Sequence, residues 1–137
     1  VLLAAGGIGV TPILAMLESI VENTPERPVT FIQVARTAGE LAFVKEVRAA
    51  AAKGKHVKVL AFVTQPAEAD MAVKCPCVKL GARPGLEDVR ALAPSPDADA
   101  YLCGPGGFMA DMRAALEAAG VPAKQIHTEA FGTGGEA

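Results

Sequence analysis

The chain has 137 residues, with 13 Lys and Arg against 15 Asp and Glu, so its net charge of −2 argues against the basic face that nucleic-acid binding requires. Hydrophobic residues make up 51% and charged residues 20%, enough for a buried core in one domain and too apolar for a disordered chain. No apolar run reaches the roughly 18 residues of a membrane span, five Phe and one Tyr make no set of stacking rings, and three Cys suit a reducing cytoplasm better than a disulfide scaffold.

Val1 to Ala5 is apolar and bounded by glycines, the pattern of a buried strand. It has no initiator Met, leader or cleavage site, and a chain opening inside a buried strand is expected to be a piece of a longer protein. Thr11 to Asn23 reads as a helix with Ile13, Leu14, Leu17, Ile20 and Val21 on one face. Thr11 is expected as its N-cap and Pro12 as its first helical residue. Val29 to Val34 is a second strand, Glu40 to Ala52 an Ala-rich helix ending near Gly54, and Val57 to Val63 a third strand. Thr64 to Pro84 reads as irregular and Leu86 to Leu92 as a short helix. Ala100 to Cys103 is a fourth strand. Gly107 to Ala119 is a helix with Phe108, Met109, Met112 and Leu116 inward, and Gln125 to Phe131 is a fifth strand. The Gly-rich residues 133–137 are expected to be a loose tail, leaving 1–132 as the folded domain.

Strands alternating with helices predict an α/β fold: a doubly wound five-stranded parallel sheet, order 3-2-1-4-5, with helices on both faces. Ligands of such sheets bind beyond the carboxyl ends of the strands, at the switch point between strands 1 and 4. Two Gly/Pro loops fall there, Gly6-Gly7-Ile8-Gly9-Val10-Thr11-Pro12 and Cys103-Gly104-Pro105-Gly106-Gly107-Phe108. Glycines let backbone N–H groups approach a phosphate, and a helix start adds about half a positive charge. The common dinucleotide fingerprint fails here. Pro12 stands where a third Gly belongs, and Arg36 rather than an acid follows strand 2. No Gly-Lys-Ser/Thr makes a P-loop either. Taken singly, the first loop also reads as a plain strand–helix turn and Cys103 as a small buried hydrophobe.

The two loops, in this order, resemble the pyridine-nucleotide domain of the ferredoxin–NADP reductase superfamily. Ile126-His127-Thr128-Glu129-Ala130-Phe131-Gly132 and Gln65-Pro66-Ala67-Glu68-Ala69-Asp70 are similar to segments of the flavohemoglobins, the nitric oxide dioxygenases. The resemblance covers nearly the whole chain. It implies that Gly6, Gly7, Ile8, Gly9, Val10, Thr11 and Pro12 meet the pyrophosphate and nicotinamide side of NAD(P)H. Cys103, Gly104 and Pro105, with Phe108 beside them, would flank the nicotinamide. Phe131 would lie on the flavin of FAD, with Glu129, Ala130 and Gly132 near it. Thr11, Cys103 and Glu129 are then the residues nearest the chemistry. Hydride would pass from NAD(P)H to FAD, then electrons singly to heme or an iron–sulfur centre. The flavin-binding β-barrel domain and the acceptor domain would be partners outside this chain.

The sequence departs from the family at Gln33-Val34, where many relatives carry His-Gly or His-Ala, at Thr128 for Tyr, at Thr133 for Pro, and at Val63-Thr64 for Tyr-Arg or Tyr-Ser. Arg36, Thr64 and Arg83 are candidates for an adenosine ribose or 2′-phosphate, and each also reads as a solvated surface residue. Cys75 and Cys77 lack the spacing and co-ligands of a zinc site, so no metal is expected. Alternative readings are the reductase of an iron–sulfur oxygenase and a non-catalytic nucleotide-sensing domain. A receiver domain needs acids at the end of strand 1, where this chain has Ala5-Gly6-Gly7, and an α/β hydrolase needs a G-x-S-x-G that this sequence lacks.

Overall fold

All five residues of β1 (Leu2–Gly6) are buried, as expected of a parallel strand covered on both faces. The computed structural model describes residues 1–41, 43–66, 78–81, 84–91 and 98–130. After β1 come α1 (Val10–Asn23), β2 (Val29–Ala35), α2 (Val44–Lys53), β3 (Val57–Val63), β4 (Val78–Leu80), α3 (Leu86–Ala91), β5 (Ala100–Gly104), α4 (Gly106–Ala118) and β6 (Ile126–Ala130). Every paired strand is parallel, in the order β4-β3-β2-β1-β5-β6. The predicted 3-2-1-4-5 order is present, and β4 adds a three-residue edge strand within the stretch read as irregular. It closes at Gly81, whose φ of 75° suits glycine and whose N–H donates to the Val63 carbonyl at 2.7 Å.

Strand alternation divides the core. Leu2, Ala4, Ile32, Phe62 and Leu102 face α3 and α4, meeting Val89, Met109, Met112 and Leu116. Leu3, Ala5, Phe31 and Cys103 face α1 and α2, meeting Ile13, Leu14, Leu17, Val47 and Ala50. Burial at this depth is worth about 25 cal/mol for each Å² of apolar surface, so the two layers supply most of the driving force for the fold.

Two helix starts differ from expectation. Gly9, in α-helical conformation, caps α1 in place of Thr11, so Thr11 and Pro12 are the second and third helical residues. Pro12 is still within the first turn, where a missing N–H is tolerated. The helix expected from Glu40 is a 3₁₀ turn at Ala38–Glu40 followed by α2, separated by Phe43 at φ 60°. That left-handed residue breaks the helical path, while its carbonyl accepts the Val47 N–H at 2.8 Å.

Candidate nucleotide-binding site

Neighbouring strands β1 and β5 run side by side, with Ala5 opposite Cys103, and their helices leave toward opposite faces. A crevice therefore opens beyond Gly6 and Gly104. The glycines around it fall into two groups. A Cβ on Gly9 would overlap the Cys103 carbonyl oxygen and lie 2.9 Å from the Gly104 nitrogen. A Cβ on Gly104 would meet the Phe108 ring at 2.9 Å and the Gly6 oxygen at 3.0 Å, and one on Gly6 would meet the same ring at 2.9 Å. These three glycines let the two turns and the Phe108 ring pack together. Gly7 and Gly107 have nothing within 4 Å of such a Cβ, and Gly7 has φ 56°. They leave backbone exposed where a ligand can approach closely.

Electrostatics at the helix starts support the same assignment. Neither α1 nor α4 has an acidic residue in its first turn, whereas α2 has Glu46 and α3 has Glu87 and Asp88. The two helices bordering the crevice thus keep the positive ends of their dipoles uncompensated, which suits an anion.

Two clefts meet at this edge and share Ala35, Arg36 and Pro105. One, of about 290 Å³, is bordered by Gly6, Thr64, Phe108 and Asp111 on the α4 side. The other, of about 550 Å³, is bordered by Gly7, Val10, Thr11, Glu40 and Phe43 on the α1 side. Arg36 stands between them and donates to Glu40 through Nε, 3.3 Å from Oε1, and Nη2, 3.0 Å from Oε2. The hydrogen bond and charge of this guanidinium hold the Glu40 carboxyl below its ordinary pKa.

Most of the predicted residues come together here: Gly6, Gly7, Gly9, Val10, Thr11, Arg36, Thr64, Gly104, Pro105 and Phe108 lie in the turns or line the clefts, and the backbone of Ile8 lies in the Gly7–Gly9 turn. Cys103 reaches the first loop through its carbonyl. Its side chain is buried at 1% exposure in the α1-side core, because strand alternation turns it to the face of Leu3 and Ala5. Pro12 borders a smaller pocket of about 110 Å³ with Cys103, Tyr101 and His127. The backbones of Glu129 and Ala130 pair with Cys103 and Gly104, so β6 ends at the same edge. Arg83, Phe131, Gly132, Cys75, Cys77 and the tail lie outside the described residues. His127 stacks on Tyr101 with ring centroids 4.7 Å apart, its Nε2 3.4 Å from Asp99. Glu40, Phe43 and Asp111 were not singled out in the sequence. The one local signal was the Arg36–Glu40 spacing of four residues.

Fold and crevice together define a doubly wound α/β domain with a switch-point site. The chain belongs to the oxidoreductase NAD-binding domain family, which matches residues 3–114. It is 36% identical over 132 residues to the flavohemoprotein of Xylella fastidiosa, covering 96% of this chain and 32% of that protein. The solved flavohemoglobin of Malassezia yamatoensis, with bound FAD and heme, superposes with a TM-score of 0.79 at 34% identity, over 96% of this chain and 31% of that one. The flavohem-like FAD/NAD binding domain of a nitric oxide dioxygenase from Vibrio cholerae gives 0.78 at 26% identity, covering 96% and 50%. The chain thus spans about a third of the length of the curated relatives it matches. No helix among the described residues is long and apolar enough to cross a membrane.

Proposed function

We propose that residues 1–132 form the nucleotide-presenting module of a cytoplasmic flavoprotein reductase of flavohemoprotein type, holding NAD(P)H for hydride transfer to FAD and onward electron transfer to heme. The observation that carries this reading is the meeting of Gly9 with the Cys103 carbonyl, which brings two uncompensated helix starts to one crevice. Each contributes about half a positive charge. Together they offset roughly one of the pyrophosphate charges, while the open backbone at Gly7 and Gly107 gives a ligand close access.

The residues present fit a nicotinamide nucleotide. Gly7 leaves open backbone on the α1-side cleft and Gly107 on the α4-side cleft, space that a Cβ would take up, and Thr11 is exposed on the rim, its hydroxyl suited to a polar ligand group. Pro105 and the Phe108 ring give the crevice an apolar wall that limits water. The parallel register of β5 and β6 supports placing Glu129 and Ala130 beside the nicotinamide end. FAD, when bound, supplies the chemistry that accepts a hydride and releases single electrons. This chain's part is orientation: holding the nicotinamide ring within near-attack distance, about 3–3.5 Å, of its acceptor. The flavin-binding β-barrel and the heme domain are proposed partners.

Backbone amide shifts on titrating the chain with NADH, NADPH and ADP-ribose test the reading. Shifts at Gly9, Thr11 and Gly104 are expected, with weak affinity and no turnover by the chain alone. Silence at those three amides, or steady NADH oxidation without added protein, would count against it.

A further inference from the structure

We infer that Glu40 is a specificity-determining residue that biases the crevice toward a nucleotide with a free ribose 2′-hydroxyl and against one bearing a 2′-phosphate. This rests on the nucleotide-binding reading above. Dinucleotide sites often place an acid at the end of the second strand, where it accepts a hydrogen bond from the 2′-hydroxyl. Here the residue after β2 is Arg36, which by itself would favour phosphate. Folding reverses that expectation. The Ala38–Glu40 turn, closed by the Glu40 N–H donating to the Thr37 carbonyl at 3.1 Å, brings a carboxylate back to the β2 terminus.

The carboxylate meets Arg36 in a two-point fork, at 3.3 and 3.0 Å, the geometry a phosphate would need on the same guanidinium. Arg36 is the one Lys or Arg lining either cleft among the described residues. A 2′-phosphate that engages Arg36 has to displace Glu40 or bind beside it, against like-charge repulsion. A 2′-hydroxyl can instead donate to Glu40 and leave the fork intact. Because both side chains are largely exposed, at 71% and 44%, solvent screens the pair and the bias is a modest one.

The test compares ADP-ribose with 2′-phospho-ADP-ribose, titrated into the 137-residue chain above about pH 7, where the 2′-phosphate is mostly dianionic. The native chain is expected to bind ADP-ribose more tightly. Glu40→Gln should move the affinity ratio about fivefold toward the phosphorylated probe. Adding Arg36→Gln should cancel that gain. An unchanged ratio in Glu40→Gln, or a native preference for the phosphorylated probe, overturns the inference and leaves nucleotide binding standing. If neither probe shifts the Gly9 or Gly104 amides, the nucleotide reading fails and this inference falls with it.

Discussion

Gly9 lies so close to the Cys103 carbonyl that no side chain fits between them. This contact joins the turn after β1 to the turn after β5 and fixes the distance between the starts of α1 and α4. Gly9→Ala is expected to force the turns apart at a cost of about 1–3 kcal/mol. Thermal denaturation should show a fall in Tm of roughly 4–12 °C. Gly107→Ala gives the opposite stability result. Its Cβ points into open space within α4, so stability should hold or rise by up to about 1 kcal/mol. Calorimetric titration with ADP-ribose should nonetheless show weaker binding, because the methyl takes up space in the α4-side cleft.

Gly6 and Phe108 form a second packing pair. A methyl on Gly6 would press on the Phe108 ring at 2.9 Å. Gly6→Ala should cost about 1–2 kcal/mol. Phe108→Leu in the same molecule should recover roughly 1 kcal/mol of the sum of the single losses, a coupling that a double-mutant cycle in urea would measure. Additive losses would show that the ring moves aside freely.

The left-handed backbone at Phe43 predicts an order of stabilities. Phe43→Gly removes a strained conformation and should keep Tm within a few degrees of the parent, since the ring is 45% exposed and loses little burial. Phe43→Val places a β-branched residue at φ 60° and should cost about 1–2 kcal/mol more than Gly at the same site. Equal stability of the two variants would mean the backbone relaxes out of the left-handed region.

The ion pair sets the sign of a pH effect. Arg36 lowers the Glu40 pKa in the folded state, so the pair contributes stability above the ordinary carboxylate range. That contribution is lost as pH falls through the lowered folded value. Carboxyl NMR titration should find Glu40 ionising at lower pH in the native chain than in Arg36→Gln. Molar salt should shrink the difference, because the pair is exposed.

The five long strands were legible because parallel strands buried on both faces appear as apolar runs, such as Leu2–Ala5 and Val57–Val63. β4 was not, since three residues carry no period and owe their conformation to backbone pairing with β3. The Thr11-Pro12 pair looked like a helix start, but the helix begins at Val10, where packing of Gly9 on Cys103 sets its position. Both glycine turns were visible as motifs. Which of their glycines pack and which stay open is a tertiary property. The Cys103 thiol direction was in principle readable from strand parity, which separates it from Leu102. The role of Glu40 is not legible in the sequence, because its position suits the start of a helix and nothing local marks the left-handed Phe43 that follows.

The crevice has a floor and a rim of different construction. Its floor is main chain, β1 against β5 from Leu2–Ala100 to Ala5–Cys103, locked by glycines that tolerate no added atom. Part of its rim, at Arg36, Glu40, Phe43 and Thr64, is built from side chains that follow β2 and β3. Mutational drift at the rim leaves the floor standing. Ligand preference can thus be changed at the rim without disturbing the packed turns at Gly6, Gly9 and Gly104 beneath it.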